Sequence, residues 1–266
     1  MARRHPVVIL LAAFGYAILY VPILIMIIYS FNSSRLVTVW AGWSTKWYGE
    51  LLRDGQILEA AWVSLVVAFW AATIGVIFGV MIGFALARIR RFRGRLLLSG
   101  MATAPIVMPE VVTGLSLLLL FISLEQLVGW PAGRGLTTII IAHATFAMAF
   151  VAVIVQGRLA SFDVSIEEAA MDLGSRQPRI FFEITLPVIM PAVIAGWLLA
   201  FTLSFDDLVI ASFVSGPGSS TLPMLIFSKV RLGVSPDINA LATLIVAIVA
   251  IGVIAANWFA MRSNRS

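Results

Sequence analysis

The chain alternates between long apolar runs and shorter polar connections. Six runs are long enough to cross a lipid bilayer as helices, each of which needs about 20 mostly apolar residues. This pattern predicts an all-α membrane protein with six transmembrane helices in a single domain that covers residues 1–266. The predicted spans are about 7–31, 60–87, 96–122, 136–157, 186–206 and 239–261.

Composition supports a membrane protein over a soluble one. The chain is 61% hydrophobic with a mean hydropathy of +1.03, which is more apolar surface than a soluble domain of this size can bury. It has no cysteine, which excludes disulfides and thiolate metal sites. The first run follows Arg3 and Arg4 but is too long for a secretory signal peptide, so we interpret it as an uncleaved transmembrane helix.

The distribution of basic residues predicts the orientation. With a cytoplasmic N-terminus, the cytoplasmic segments would hold 12 of the 18 lysines and arginines. This bias favours both termini in the cytoplasm, and it explains the net charge of +5 better than nucleic-acid binding does. The residues counted as cytoplasmic are Arg3, Arg4, Arg88, Arg90, Arg91, Arg93, Arg95, Arg158, Arg176, Arg179, Arg262 and Arg265.

Glycines recur on one face of the second span. Gly75, Gly79 and Gly83 are four residues apart, so they form a strip against which another helix can pack closely. We interpret the strip as a packing feature and assign it no role with a transported solute.

A short sequence echo links the third and fifth spans. The string Pro105-Ile106-Val107-Met108-Pro109 resembles Pro187-Val188-Ile189-Met190-Pro191. Paired prolines remove backbone donors and bend a helix, which membranes tolerate where protein or water meets the freed carbonyl groups. Both stretches are therefore candidates for lining a pathway, although ordinary membrane prolines remain the alternative.

Three acids lie in or at the ends of predicted spans. Glu110 is fourteen residues into the third span, which places it roughly 20 Å along that span and near the bilayer midplane. Asp206 and Asp207 end the fifth span, and no lysine or arginine within a span can pair with any of the three acids. Unpaired acids suggest a path for cations. The alternatives are a protonated or hydrogen-bonded Glu110 and a solvated helix end.

Aromatic side chains near these acids could assist a cation. Trp197, Phe201 and Phe205 precede the two aspartates and could offer cation–π contacts. With the acids, they complete our candidate substrate pathway. His143 lies inside the fourth span, where we interpret it as a hydrogen-bonded packing residue rather than a ligand.

Two connections outside the predicted spans are rich in apolar residues. The segment 32–59 is predicted to be a surface helix on the membrane, and 207–238 a partly re-entrant loop rather than a solvated one. The interfacial aromatic residues of the first segment are Trp40, Trp43, Trp47 and Tyr48.

The longest polar island, 168–187, follows the fourth span. The capping-box spacing of Ser165 and Glu168 predicts a helix that begins near Ser165. Gly174 can end that helix in a left-handed conformation, and Pro178 suits the first turn of a second helix. The island is thus predicted to be a short helix–turn–helix.

Within the island, Glu168-Ala169-Ala170, Gly174, Ile184 and Leu186-Pro187 resemble the coupling-loop motif of permease subunits of bacterial ABC importers. The strings 107–114 and 203–210 are similar to the putrescine/spermidine permeases in particular. The resemblance implies a type I ABC importer permease fold with cytoplasmic coupling helices, in which loop 158–185 docks on an ATPase subunit. The implied coupling residues are Glu168, Ala169, Ala170, Asp172, Gly174, Ile184, Leu186 and Pro187.

The resemblance also implies the function, which is import of putrescine or spermidine by alternating access in the bacterial inner membrane. The chain itself has only two lysines, neither after a glycine-rich phosphate loop, so we expect no cofactor on it and no enzymatic activity. ATP and magnesium would bind to a partner. The implied partners are a second permease subunit, two copies of the ATP-binding subunit and a periplasmic binding protein. The alternatives are a permease for an amino acid or iron complex, an ion-coupled secondary transporter and, least favoured, a membrane enzyme.

Overall fold

The computed structural model describes residues 6–36, 39–89, 91–233 and 235–263. Arg3, Arg4, Arg90 and Arg265 of the charge count lie outside these residues. The elements within them are helices, apart from a single antiparallel bridge between Asn32 and Trp43. The all-helical fold predicted from the apolar runs is therefore confirmed.

Twelve α-helices and one π-helical turn follow one another in the described residues. The helices are α1 Pro6–Tyr29, α2 Lys46–Leu51, α3 Gly55–Arg88, α4 Arg95–Val107, α5 Glu110–Val128, α6 Leu136–Ala160, α7 Ser165–Asp172, α8 Gln177–Ile180, α9 Leu186–Phe205, α10 Val209–Val214, α11 Leu222–Leu232 and α12 Pro236–Ser263. The π-helical turn, Phe181–Thr185, lies between α8 and α9.

Five stretches of the described residues are long and apolar enough to cross a membrane. The sixth predicted span falls on α12, whose stretch Pro236–Gly252 is also apolar. The five are Val7–Tyr29, Gly55–Arg88, Glu110–Val128, Leu136–Ala160 and Gln177–Phe205.

The third predicted span, 96–122, is not one helix. It is divided between α4 and α5 at Met108 and Pro109, whose backbone is extended with ψ of 140° and 136°. Proline disfavours a helical residue before it and cannot donate a helical hydrogen bond, which explains the break. Glu110 is the first residue of α5 rather than a residue fourteen positions into a continuous helix, so the helix length on which its midplane position was based does not hold. Its depth in the membrane stays a prediction.

The fifth predicted span keeps its helix despite the same proline pair. Pro187 lies in the first turn of α9, where a missing N–H is harmless, and the helix continues through Pro191 to Phe205. The chain enters α9 through the π-helical turn. The irregularity therefore lies before the prolines rather than between them.

The residues form two compact units, and the first comprises the chain up to Leu58 and from Leu225 onwards. In it, α12 packs against α1 and α2. Among the described residues between α1 and α3, only α2 is helical, so the surface helix predicted over 32–59 is much shorter than expected. Trp47 is buried and its Nε1 donates to Asn32 O at 2.6 Å, so it is a packing residue and not the interfacial residue we predicted.

Lys229 bridges two aspartates within this first unit. Its Nζ lies 3.1 Å from Asp54 Oδ2 and 3.0 Å from Asp237 Oδ2. Both aspartates line a cavity of about 400 Å³ beside Trp47 and Glu50. The charges of these three residues are thus paired.

The second unit, Glu59–Met224, is built around α6. Ile139, Val151 and Leu159 of this helix are fully buried. The glycine strip of α3 lies against it, since a Cβ on Gly79 would come within 2.6 Å of Val151 Cβ, closer than atoms can approach. The interpretation of the strip as a packing feature is confirmed.

The apolar start of segment 207–238 is buried in the second unit. Ile210, Ala211 and Val214 of α10 have no exposed surface and pack in a core with Phe121 and Ile139. The expectation that this part is not solvated is confirmed. Its re-entry into the membrane stays a prediction.

Candidate functional site

Glu110, Asp206 and Asp207 are brought together in the second unit, and we call them the acid cluster. Glu110 begins α5, and the two aspartates lie between the end of α9 and the start of α10, which packs against α5. The charges of Asp206 and Asp207 act on the Glu110 carboxyl group. Residues separated by about a hundred positions in the chain thus share one electrostatic site.

Asp207 is not free in this cluster. Its Oδ1 accepts a hydrogen bond from Ala211 N at 2.8 Å, and it lies 3.2 Å from His143 Nε2. His143 Nδ1 is 2.8 Å from Ser204 Oγ, and the imidazole is almost fully buried. The prediction of three unpaired acids is therefore wrong for Asp207, because it caps α10 and contacts His143. The interpretation of His143 as a hydrogen-bonded packing residue is confirmed.

Glu110 and Asp206 differ from Asp207 in their surroundings. Both residues are exposed, and within the described ranges no lysine or arginine forms an ion pair with either of them. Contact of these two carboxylates with a substrate cation stays a prediction.

A row of stacked rings on α9 leads to the acid cluster. Trp197 and Phe201 have ring centroids 5.4 Å apart with planes at 21°, and Phe201 and Phe205 are 5.9 Å apart with planes at 10°. Their spacing of four residues places them on one helical face. Trp197 Nε1 donates to Thr73 Oγ1 at 3.2 Å, which orients the first ring. We call these three residues the aromatic ladder; it ends directly before Asp206.

The predicted helix–turn–helix forms in residues 158–185, which we call the polar loop. Gly174 has φ of +84° and ends α7, with Gly174 N donating to Met171 O at 2.8 Å and Ser175 N to Ala170 O at 3.0 Å. This pair of bonds is a Schellman motif.

The helix α7 begins at Ser165 as predicted, but Asp163 Oδ1 accepts from Ser165 N at 3.0 Å, so the predicted capping box is wrong. Pro178 lies in the first turn of α8 as expected.

The predicted coupling residues divide by exposure. Glu168, Ala169, Asp172, Gly174 and Pro187 are exposed, whereas Ala170, Ile184 and Leu186 are partly buried. The outer face of α7 and the turn after it are therefore open to a partner. Their role in coupling stays a prediction.

Sequence reasoning missed the residues that hold the polar loop in place. Arg88 Nε lies 2.9 Å from Glu167 Oε2, and Thr185 Oγ1 donates to Glu167 Oε1 at 2.7 Å. Glu167 and Thr185 are buried. An arginine that ends an apolar span is expected to seek a carboxylate, but nothing in the sequence indicates which of the loop's acids it contacts.

Two kinds of sequence comparison agree with this architecture. Residues 75–266 match the family described as "Binding-protein-dependent transport system inner membrane component". The putrescine transport system permease protein PotI of Escherichia coli K12 is 60% identical over 97% of this chain and 92% of its own length. The spermidine/putrescine transport system permease protein PotC of the same organism is 45% identical over 92% of this chain and 90% of its own.

A solved structure shares the fold. A bacterial ABC transporter involved in the import of the acidic polysaccharide alginate superposes with a TM-score of 0.73 at 18% identity, over 97% of this chain and 99% of that one. The predicted type I ABC importer permease fold is thereby confirmed. By its family match and its close relatives, the chain belongs to the binding-protein-dependent transport system inner membrane components and is a multi-pass transport protein rather than an enzyme.

Proposed function

We propose that this chain is the permease subunit of an ATP-driven importer that moves a polyamine, putrescine or spermidine, into the cytoplasm. The choice of solute rests on Glu110 and Asp206, two carboxylates of the acid cluster without a basic partner in the described residues, and on the aromatic ladder that ends at Phe205, directly before Asp206. The names of the 60% and 45% identical relatives support the same class of solute.

The chemistry of a polyamine suits this arrangement. A polyamine carries two or more ammonium groups separated by methylenes, so it needs spaced negative charges and apolar surface between them. The faces of Trp197, Phe201 and Phe205 attract a cation through their quadrupoles and contact methylenes. The carboxylates of Glu110 and Asp206 offer charge-assisted hydrogen bonds at one end. Asp207 would act indirectly, by capping α10 and so placing its neighbour Asp206.

The polar loop would connect the chain to its source of energy. We place the loop and both termini in the cytoplasm, as the excess of arginine there favours. The exposed Glu168, Ala169, Asp172 and Gly174 would contact an ATP-binding subunit, with Ala170, Ile184, Leu186 and Pro187 shaping the contact. ATP and magnesium would bind to that subunit.

The working assembly would be a heteromer. It would contain this chain, a second permease subunit, two copies of the ATP-binding subunit and a periplasmic binding protein, consistent with the family description. Closure of the two ATP-binding subunits would move the polar loops and expose the pathway to alternate sides of the membrane.

The decisive experiment uses the complex purified through this subunit. It is reconstituted in vesicles with ATP and the binding protein, and uptake of labelled putrescine and spermidine is compared with that of an amino acid and an iron complex. ATP-dependent uptake of a polyamine supports the proposal, and uptake only of another solute contradicts it. Uptake that persists without the ATP-binding subunits, but stops when ion gradients are dissipated, would indicate a secondary transporter instead.

A further inference from the structure

We infer that Arg88, Glu167 and Thr185 form a joint that passes movement of the polar loop to α3 and α9. The inference rests on the proposed function, because it assigns these three side chains a positioning role in coupling. None of them belongs to the motif that indicated the coupling loop, and the contacts between them carry the inference.

Arg88, at the end of α3, contacts both α6 and α7. It is the last residue of α3, and its Nη1 donates to Leu159 O at 3.2 Å, near the end of α6. Its guanidinium carbon lies 5.3 Å from the centroid of the Phe162 ring, in the connection that follows α6. Its Nη2 donates to Glu167 Oε1 at 3.2 Å, on α7. A planar guanidinium with several donors is suited to hold separate elements at defined angles.

Glu167 completes the connection from α7 to α9. Its Oε1 also accepts the hydrogen bond of Thr185, the last residue of the π-helical turn that leads into α9. Single π-helical turns in proteins are frequent at functional sites. One buried carboxylate therefore links α3, α7 and the start of the helix that carries the aromatic ladder.

Two consecutive glutamates give α7 an inner and an outer face. Glu167 is 8% exposed and paired, whereas Glu168 is exposed. A partner that pushes on the exposed Glu168 side moves a helix whose buried Glu167 side is bonded to α3 and to the π-helical turn. Buried charge-assisted bonds have no water to replace them, so the three elements are expected to shift together.

A second ion pair in the polar loop supplies the contrast. Arg179 Nε and Glu183 Oε2 are 2.8 Å apart on neighbouring turns, but both side chains are more than half exposed. Water can replace this pair at little cost. It links neighbouring residues of one short segment, so it cannot pass movement to α3.

The test measures polyamine imported per ATP hydrolysed in the reconstituted complex. Glu167→Gln keeps the size of the side chain and removes its charge, and we expect this ratio to fall roughly tenfold. Thr185→Val removes one hydrogen bond but keeps the ion pair and the shape, and we expect a fall of about twofold. In both variants the ATP-binding subunit is expected to co-purify and to hydrolyse ATP. The control, Arg179→Ala with Glu183→Ala, is expected to keep the wild-type ratio.

Several results would overturn the inference. An unchanged ratio in both variants would do so, as would loss of the ATP-binding subunit from both variants, because the cluster would then be only structural. If Glu167→Gln fails to assemble, Thr185→Val decides alone. Failure of the wild-type complex to import a polyamine would remove the proposed function instead, and the wild type measured in parallel distinguishes the two failures.

Discussion

Glu110 and Glu167 are both carboxylates at helix ends in the second unit, and their surroundings are opposite. Glu167 is buried, and its carboxylate forms an ion pair with an arginine and accepts a hydrogen bond from a threonine. Glu110 is exposed, lies near two aspartates and forms no ion pair with a described lysine or arginine. The charge of Glu167 is neutralised within the chain, whereas that of Glu110 has no lysine or arginine partner among the described residues.

The difference separates two uses of charge in a membrane protein. A charge with its own counter-ion has no need of a ligand and serves to hold elements together. A cluster of like charges is unfavourable until a cation arrives, so it favours the state in which one is bound. The contrast ranks Glu110 and Asp206 as candidates for solute contact and Glu167 as a positioning residue.

Glu110→Gln is expected to have the largest effect on uptake. Loss of a carboxylate–ammonium contact is expected to lower the rate of polyamine uptake by about 10- to 100-fold. Glu125→Gln, a carboxylate on the same helix, is the control and should transport normally. The measurement is initial uptake of labelled polyamine in vesicles. A wild-type rate in Glu110→Gln would show that Glu110 does not contact the solute.

Placing an unpaired carboxylate on the polar loop tests whether the turn at Gly174 contacts a partner. Gly174→Asp puts a charge at an exposed corner, and we expect import per ATP to fall about tenfold while the protein still inserts. Gly174→Asn is the control, because asparagine tolerates the same positive φ without the charge. Equal loss in both variants would attribute the effect to backbone strain, and normal uptake in the aspartate variant would contradict docking at this corner.

Substitution in the aromatic ladder measures the contribution of a ring to uptake separately from that of the carboxylates. Phe201→Leu keeps an apolar side chain but removes the middle ring, and we expect a two- to fivefold slower uptake, in line with about 0.5–1 kcal/mol per cation–π contact. Phe78→Leu, an exposed phenylalanine on α3, should have no effect. Rates are compared at equal expression of the two variants. Identical uptake rates would show that the ring of Phe201 does not contact the solute.

Lys229 provides the smallest test, because it is a paired charge that is partly exposed. Burial raises the pKa of Asp54, but hydrogen bonds from Lys229 and the backbone together with the lysine's charge hold it below the ordinary value. Burial lowers the pKa of Lys229, but Asp237 and Asp54 hold it above the ordinary value. The stabilisation of the folded chain by these ion pairs is thus present at pH values between the lowered aspartate pKa and the raised lysine pKa. It is lost as pH falls through the lowered aspartate pKa or rises through the raised lysine pKa.

We therefore expect Lys229→Met to melt about 2 °C below the wild type from pH 5 to pH 9. The difference should shrink as the pH falls below about 3.9, the ordinary pKa of an aspartate. Thermal unfolding of the detergent-purified chain, followed by intrinsic tryptophan fluorescence, measures it. A gap that persists unchanged in acid would mean that the charge of Asp54 is not involved.

The paired prolines show how far sequence reasoning reaches. The echo predicted a distortion at both proline pairs, and this is right for the third span only: α4 and α5 separate at Pro109, whereas α9 continues through Pro191. The residue after each proline offers a reason. Glu110 favours a new helix start, where a negative charge meets the positive end of the dipole, whereas Ala192 favours continuation.

Other parts of the site depend on contacts that periodicity does not encode. The apolar runs predicted the helices, and the motif with its glycine predicted the turn after α7. The pairing of Asp207 with His143, and of Glu167 with Arg88, joins residues more than sixty positions apart. Only the packing of α3, α6 and α9 brings such partners together, so one sequence could not identify them.

The even spacing of the three stacked rings affects how fast a charge could travel along α9. Each ring offers a cation about 0.5–1 kcal/mol, close to thermal energy, and the next ring centroid is 5.4 or 5.9 Å away. A cation moving along α9 would therefore bind weakly at several positions rather than tightly at one. Weak binding favours rapid passage, so tight binding of the solute would have to come from another component of the transporter.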